Sequence, residues 1–285
     1  MYVAIRDVSI LETGCKNVFD CAKKLRISNL ELEVNRDLVT LHYNLKEQNE
    51  RRKLLQDLNS YNQKICALLL EVEFGENFTK MHEDWIINAI RIASDLGVKA
   101  VRIGSLNYLK DESLISTHID RISSTLRRIL SETSECDVYL AMENHGSIGN
   151  RRDFLNGLIS KIDNERFKLT LDVANFYWFG YPLTEIYDIT KEFGSKTGHT
   201  HIKNFIYPEN KKNIRRKVGE DYPRNSVPIY EGDINYELIV KILKESGYNE
   251  DLTIEEESLA KFPLSERINV LSKDAQYIRN ILSSF

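Results

Sequence analysis

The chain has 285 residues, 42% hydrophobic and 29% charged, with a formal net charge of -4 and an isoelectric point near 6.0. That is ordinary for a globular protein with a substantial core, and the mildly acidic balance argues against a dedicated nucleic-acid binder, which carries a basic footprint. No apolar run nears the ~20 residues of a membrane helix, the N-terminus lacks a signal-peptide pattern, and Cys15, Cys21, Cys66 and Cys136 form no CxxC pair, so free thiols and a cytoplasmic setting are expected.

In chain order, a strand is predicted over 2–10, a helix over 15–25, a strand over 29–34 and a polar helix over 45–62. A strand over 65–74 follows, then a helix over 83–97. In that helix Trp85, Ile86, Ala89, Ile90, Ala93 and Leu96 share one face and Gly97 supplies the stop. Strands over 99–105, 137–145, 167–175, 197–204 and 251–258 alternate with helices over 112–132, 152–162, 183–193, 234–248 and 264–283. Repeated strand–helix units imply a parallel sheet covered by helices, and eight of them imply one (β/α)8 barrel domain over 1–285. An open doubly wound sheet would want a Gly-rich loop after the first strand, and "SILETGC" has a single glycine.

Four of the predicted strands end in charge. "AMENHG" closes an apolar run on Glu143, Asn144 and His145; "LTLDVAN" ends on Asp172; "GHTHIKN" ends on His201 and Lys203; "LTIEEES" ends on Glu255 and its neighbours. Asp172 follows Glu143 by 29 residues and His201 follows Asp172 by 29, about one strand–helix unit, so these groups are expected at equal heights on successive strands. Three carboxylates and an imidazole converging on one spot cannot be buried as bare charges, and a single divalent ion (Mn, Mg, Co or Zn) would resolve the conflict. His199 shares the face of His201 one layer deeper and is expected to be structural.

These segments carry a resemblance. "MENHG", "LDVAN", "HIKN" and "EGDINYELIVKILKESGYNEDLTIEEE", with the helix–strand passage "AIRIASDLGVKAVRIG", resemble the xylose isomerase-like TIM-barrel superfamily of sugar and sugar-phosphate isomerases and epimerases. The resemblance is clearest over 83–258, and the first 75 residues share only the barrel rhythm. It implies Glu143, Asp172, His201 and Glu255 as metal ligands, with Glu255 taken over Glu256 and Glu257 for its spacing after "GY". It also implies Glu143 and Glu255 as the pair that exchanges protons with substrate carbon, beside a metal that polarises the carbonyl and stabilises an enediolate. Asn175 stands where the tagatose-type epimerases have His, a departure bearing on substrate identity.

Around that centre His145, Asn175, Lys203, Arg102 and Trp178 are expected to touch a small sugar or sugar-like substrate. The loop "YPENKKNIRRKVGEDYPRNS" (207–226) carries a net +3 and is expected to lack regular structure and to form a basic lid for an anionic substrate. The alternative activity is a metal-dependent dehydratase or lyase of a cyclic polyol or a dehydroshikimate-like acid. An apurinic-site endonuclease would need several zinc ions and many more histidine ligands than the six histidines here supply. A non-catalytic sugar-binding barrel would have no use for a complete ligand set. Self-association into a homo-oligomer is an open expectation.

Overall fold

The computed structural model describes residues 1–285. Eight parallel strands close into a barrel: β1 (Tyr2–Arg6), β2 (Asn29–Glu33), β3 (Lys64–Leu70), β4 (Ala100–Ile103), β5 (Tyr139–Glu143), β6 (Phe167–Asp172), β7 (Thr197–Ile202) and β8 (Asp251–Ile254). Each pairs with its neighbour in sequence, and β8 returns to β1 with Tyr2 opposite Asp251 and Ile5 opposite Ile254. Eight main helices cover the outside: α1 (Val18–Lys24), α2 (Gln48–Ser60), α3 (Lys80–Leu96), α4 (Ile115–Glu132), α5 (Arg152–Ile162), α6 (Leu183–Phe193), α7 (Tyr236–Glu245) and α8 (Leu264–Ser283). The predicted (β/α)8 architecture is therefore the observed one.

Strand alternation divides the interior in two. In β2, Leu30 and Leu32 face outward into the apolar layer beneath the helices, where each buried leucine contributes roughly 1.5–3 kcal/mol. Glu31 between them faces the lumen. At the N-terminal end the lumen is filled by small side chains, Ala4, Ala67, Ala100 and Cys66. Above them it is polar.

The predicted strands overran at their C-terminal ends. β1 stops at Arg6 because the Asp7 carboxylate accepts hydrogen bonds from the backbone N–H of Val8 (2.8 Å) and of Glu33 (3.2 Å), and a short helix (Asp7–Leu11) begins. β3 and β5 likewise end at Leu70 and Glu143, where polar residues leave the sheet for the loops. At the helix ends the local chemistry was decisive: Gly97 takes φ 70° and stops α3, while Thr79 and His82 form a capping box at its start.

Two expectations are corrected. Cys15 and Cys21 form a disulfide across the entry to α1, their Cα atoms 6.5 Å apart; Cys66 and Cys136 are free and buried. This removes the ground on which a reducing, cytoplasmic compartment was expected. No helix is long and apolar enough to cross a membrane.

The loop 207–226 is the second correction. It contains a short helix (Glu209–Lys212), and Ser226–Val227 pairs antiparallel with Asn204–Phe205. Four of its six cations are engaged within their own neighbourhood, and Lys217 and Arg224 stay exposed. Arg216 is buried between the rings of Tyr177 (4.3 Å) and Tyr207 (3.9 Å) and donates to the carbonyls of Tyr177 (2.6 Å) and Lys211 (2.8 Å). Arg215 stacks on Tyr181 at 4.0 Å, Lys212 pairs with Asp233 at 3.0 Å, and Lys211 pairs with Glu220. A guanidinium whose donors are taken by main-chain carbonyls pins a loop and is lost to an incoming anion.

Candidate metal centre

The C-terminal ends of β5, β6, β7 and β8 bring Glu143, Asp172, His201 and Glu255 together, with one donor atom of each within 4.8 Å of all the others. Register explains how. Asp172 lies directly opposite His201, but Glu143 lies opposite Thr170, one residue pair lower than the spacing predicted. The longer glutamate side chain makes up the difference. Asp172 also caps the short helix Val173–Phe179, its Oδ1 accepting from the Asn175 N–H at 3.1 Å.

Asn144 explains the amide in "AMENHG". It is fully buried and ties β5 to β6: its Nδ2 donates to the Asp172 carbonyl (2.8 Å) and to Asn150 Oδ1 (2.9 Å), and its Oδ1 accepts from the Asp172 N–H (2.8 Å). His145 returns to the inner side, with Nδ1 3.0 Å from Asn107 Oδ1. The following Gly146 takes φ 74°, and a Cβ there would stand 2.5 Å from the Asn107 main chain.

The two glutamates are held in matching ways. Glu143 turns Oε1 toward His201 Nδ1 (3.4 Å) and Asn175 Nδ2 (3.0 Å), and its Oε2 toward the Arg102 guanidinium. Glu255 turns Oε2 toward His201 Nδ1 (3.5 Å) and Lys203 Nζ (2.7 Å), and its Oε1 toward Arg6. Burial opposes ionisation of Glu143, but Arg102 and His201 hold its carboxyl well below the usual carboxylate range. Burial also works against the Lys203 ammonium, which Asp172 and Glu257 nonetheless hold charged, above its ordinary range.

Sequence reasoning missed the residue behind the site. Glu31 of β2 is 0% exposed and bridges the lumen, with Oε2 2.8 Å from His201 Nε2 and Oε1 2.9 Å from His199 Nε2. His199 Nδ1 lies 2.9 Å from Asp251 at the far end of β8. Burial would push the His199 imidazole down, yet Asp251 and Glu31 raise it to about 10. The hint in "NLELEV" reads only with the closed barrel in view: there, a carboxylate flanked by leucines has no solvent face to use. Arg6, at the end of "YVAIR", was missed for the same reason.

The four donors suit a divalent ion. Three carboxylates and one imidazole are hard and borderline ligands, and Asp172 Oδ2 is buried without accepting a hydrogen bond, although Lys203 Nζ lies 3.0 Å away. Burial lifts the Asp172 carboxyl above its ordinary value despite Lys203, a cost that a bound cation would relieve.

Above the donors opens a cavity of about 100 Å³ lined by no hydrophobic residue, with Arg102, His145 and Lys203 in its wall. Asn175 sits just beneath, donating to Glu143. Trp178 is a correction: it packs on Gly219 and edge-on to Tyr222, 6.4 Å between rings, because loop 207–226 covers it. A cavity of about 500 Å³ against Phe19, Tyr43 and Tyr61 lies away from these donors beside α1 and α2.

A family model for the xylose isomerase-like TIM barrel matches residues 27–281, extending well before the region where the resemblance was clearest. No functionally curated protein matches the sequence. Among solved structures, the IolI protein with a bound zinc atom superposes with a TM-score of 0.75 at 18% identity, covering 100% of this chain and 99% of that one. A D-tagatose 3-epimerase-like protein gives 0.72 at 16% identity, covering 99% and 97%. A xylose isomerase-like TIM-barrel protein from Mycobacterium smegmatis in complex with magnesium gives 0.70 at 14%, covering 99% and 97%. At these identities the superpositions speak for the fold, and the family match makes the assignment: the chain belongs to the xylose isomerase-like TIM-barrel family.

Proposed function

We propose that the protein is a divalent-metal-dependent isomerase or epimerase of a sugar or sugar-like polyhydroxy carbonyl compound. The observation that carries this reading is the convergence of four buried donors, Glu143, Asp172, His201 and Glu255, beneath a wholly polar cavity. These four residues would hold the ion, which would polarise the substrate carbonyl and lower the cost of removing the neighbouring proton. The family match and the epimerase-like neighbour support the reaction class.

The rest of the chemistry falls to this chain's side chains. Glu143 and Glu255 reach the centre from non-adjacent strands, β5 and β8, and each is paired with its own arginine. One would take the α-proton and the other return it, from the opposite face in epimerisation. Arg102 keeps the Glu143 carboxylate ionised and ready to accept, and Arg6 pairs with Glu255. Lys203 and His145 would position substrate oxygens, and Asn175 fixes Glu143 Oε1. Asp172 and His201 would fix the metal and take no part in proton transfer.

The test combines elemental analysis with isotope exchange. Wild type, remetallated from a mixture of Mn, Co, Zn and Mg and desalted, should retain about one equivalent of metal, lost in His201→Ala. With a panel of ketoses and aldoses in D₂O, wild type should place deuterium at the α-carbon. Metal bound without exchange on any sugar would favour the sugar-binding barrel; several equivalents would reopen the endonuclease reading.

A further inference from the structure

The geometry points to an uncharged substrate: a polyhydroxylated carbonyl compound bearing neither a phosphate nor a carboxylate group. This rests on the proposed function and narrows it.

Formal charge in the cavity wall is the first ground. Glu71, Glu73, Glu143, Glu255 and Glu257 face Arg102 and Lys203, five carboxylates against two cations. Asp172 beneath and Arg6 beside cancel, so the balance stays at an excess of three negative charges. A divalent ion would leave it negative by one. An anionic group entering here would meet net repulsion from the wall, softened by solvent at the exposed Glu71 and Glu73.

The second ground is that none of the cations nearest the cavity is free. Arg102 is held by Glu143 and by Glu71 at 3.5 Å. Lys203 Nζ lies 2.7 Å from both Glu255 and Glu257 and 3.0 Å from Asp172. Arg6 is held by Glu255 and by Glu71 at 3.2 Å. Of the cations of loop 207–226, Arg216, Arg215, Lys212 and Lys211 are committed to carbonyls, rings and carboxylates of their own neighbourhood, and Lys217 and Arg224 are exposed and take no part in the cavity wall. Arg36 is exposed and lines the adjoining cavity with Glu71, Glu73 and Glu76, outside the wall that holds Arg102 and Lys203.

The third ground is what the wall does offer. Carboxylates are acceptors only, and they bind hydroxyl groups; the Asn107 amide adds a donor. No hydrophobic residue lines the cavity to hold a non-hydroxylated portion of a ligand. The complement of such a wall is a small molecule hydroxylated along its length.

The experiment is calorimetric titration of Mn²⁺-reconstituted protein with D-fructose, D-tagatose, D-ribulose and myo-inositol, each beside its phosphate ester, and with D-gluconate. At least one neutral ligand should bind, and its ester should bind about tenfold more weakly or worse, with gluconate as poor. Raising salt should narrow the gap by screening, and Glu71→Gln/Glu73→Gln/Glu257→Gln should narrow it to about threefold. The salt series on wild type decides the matter if the triple variant does not fold. An ester or gluconate that matches or exceeds the neutral ligands overturns the proposal, as does failure of every neutral ligand to bind at millimolar concentration. Deuterium exchange on the sugar that binds is read separately. Binding without exchange upholds the charge selectivity and counts against proton transfer.

Discussion

His201 presents Nδ1 toward Glu143 and Glu255 because its Nε2 is held 2.8 Å from Glu31 Oε2. A histidine with one nitrogen bonded to a carboxylate keeps the other bare and correctly aimed for a metal. Glu31 is itself braced by His199, which is braced by Asp251. Glu31→Gln should therefore lower metal affinity about 10–100-fold in a chelator competition. It should also shift the His201 ring nitrogens in ¹⁵N NMR of the metal-free protein, a change that loosened packing alone would not make. Wild-type affinity in this variant would show that the brace is irrelevant to the site.

Glu143→Gln and Glu255→Gln should each reduce α-carbon deuterium exchange by about 10²–10⁴-fold, the usual share of a general base. The two variants should differ in which face of the carbon fails, because the glutamates approach from β5 and β8. Normal exchange in either one, with metal content preserved, removes that residue from the proton transfer.

Asn144→Ala should destabilise the fold without touching substrate. The side chain is buried, and removing it leaves the Asp172 N–H, the Asp172 carbonyl and Asn150 Oδ1 without a partner. Each orphaned group costs about 1–3 kcal/mol, so a loss of about 3 kcal/mol or more is expected in urea unfolding. A loss below about 1 kcal/mol would mean that water replaces the amide and that β5 and β6 need no staple.

Much of this architecture was legible in the sequence. The helices 152–162, 183–193 and 264–283 have the predicted bounds, because amphipathic periodicity and helix ends are local properties. The polar strand ends were legible because charge terminating an apolar run is conspicuous. The lumen was not: Glu31 on "LEL" looks like an ordinary solvent-facing alternation until the barrel closes and leaves it no solvent. Loop 207–226 misled for a related reason. Its net charge is a local count, whereas the burial of Arg216 between Tyr177 and Tyr207 depends on which rings the fold brings to it.

The residue after Glu255 gives the fold its pH dependence. Glu256 and Asp274 of α8 face each other in a buried contact, and Glu256 Oε2 and Asp274 Oδ2 have no other partner. Burial raises both carboxyls above the ordinary range, Asp274 further because Glu256 stands beside it. One proton shared between the two oxygens satisfies both. The native state thus keeps a proton that the unfolded chain releases near pH ~4, so this contact stabilises fully below that value and loses its contribution as pH rises through the raised value. Asp7, lifted to about 7 chiefly by burial, acts in the same direction. Asp274→Asn replaces the shared proton with a permanent N–H donor and keeps the Oδ1 that accepts from the Tyr230 N–H at 3.3 Å. Between about pH 5 and pH 9 the urea midpoint of wild type should fall more than that of the variant, which should be the more stable of the two at the alkaline end. Parallel decline of the two proteins across that window would show that the pair is not the group losing its proton.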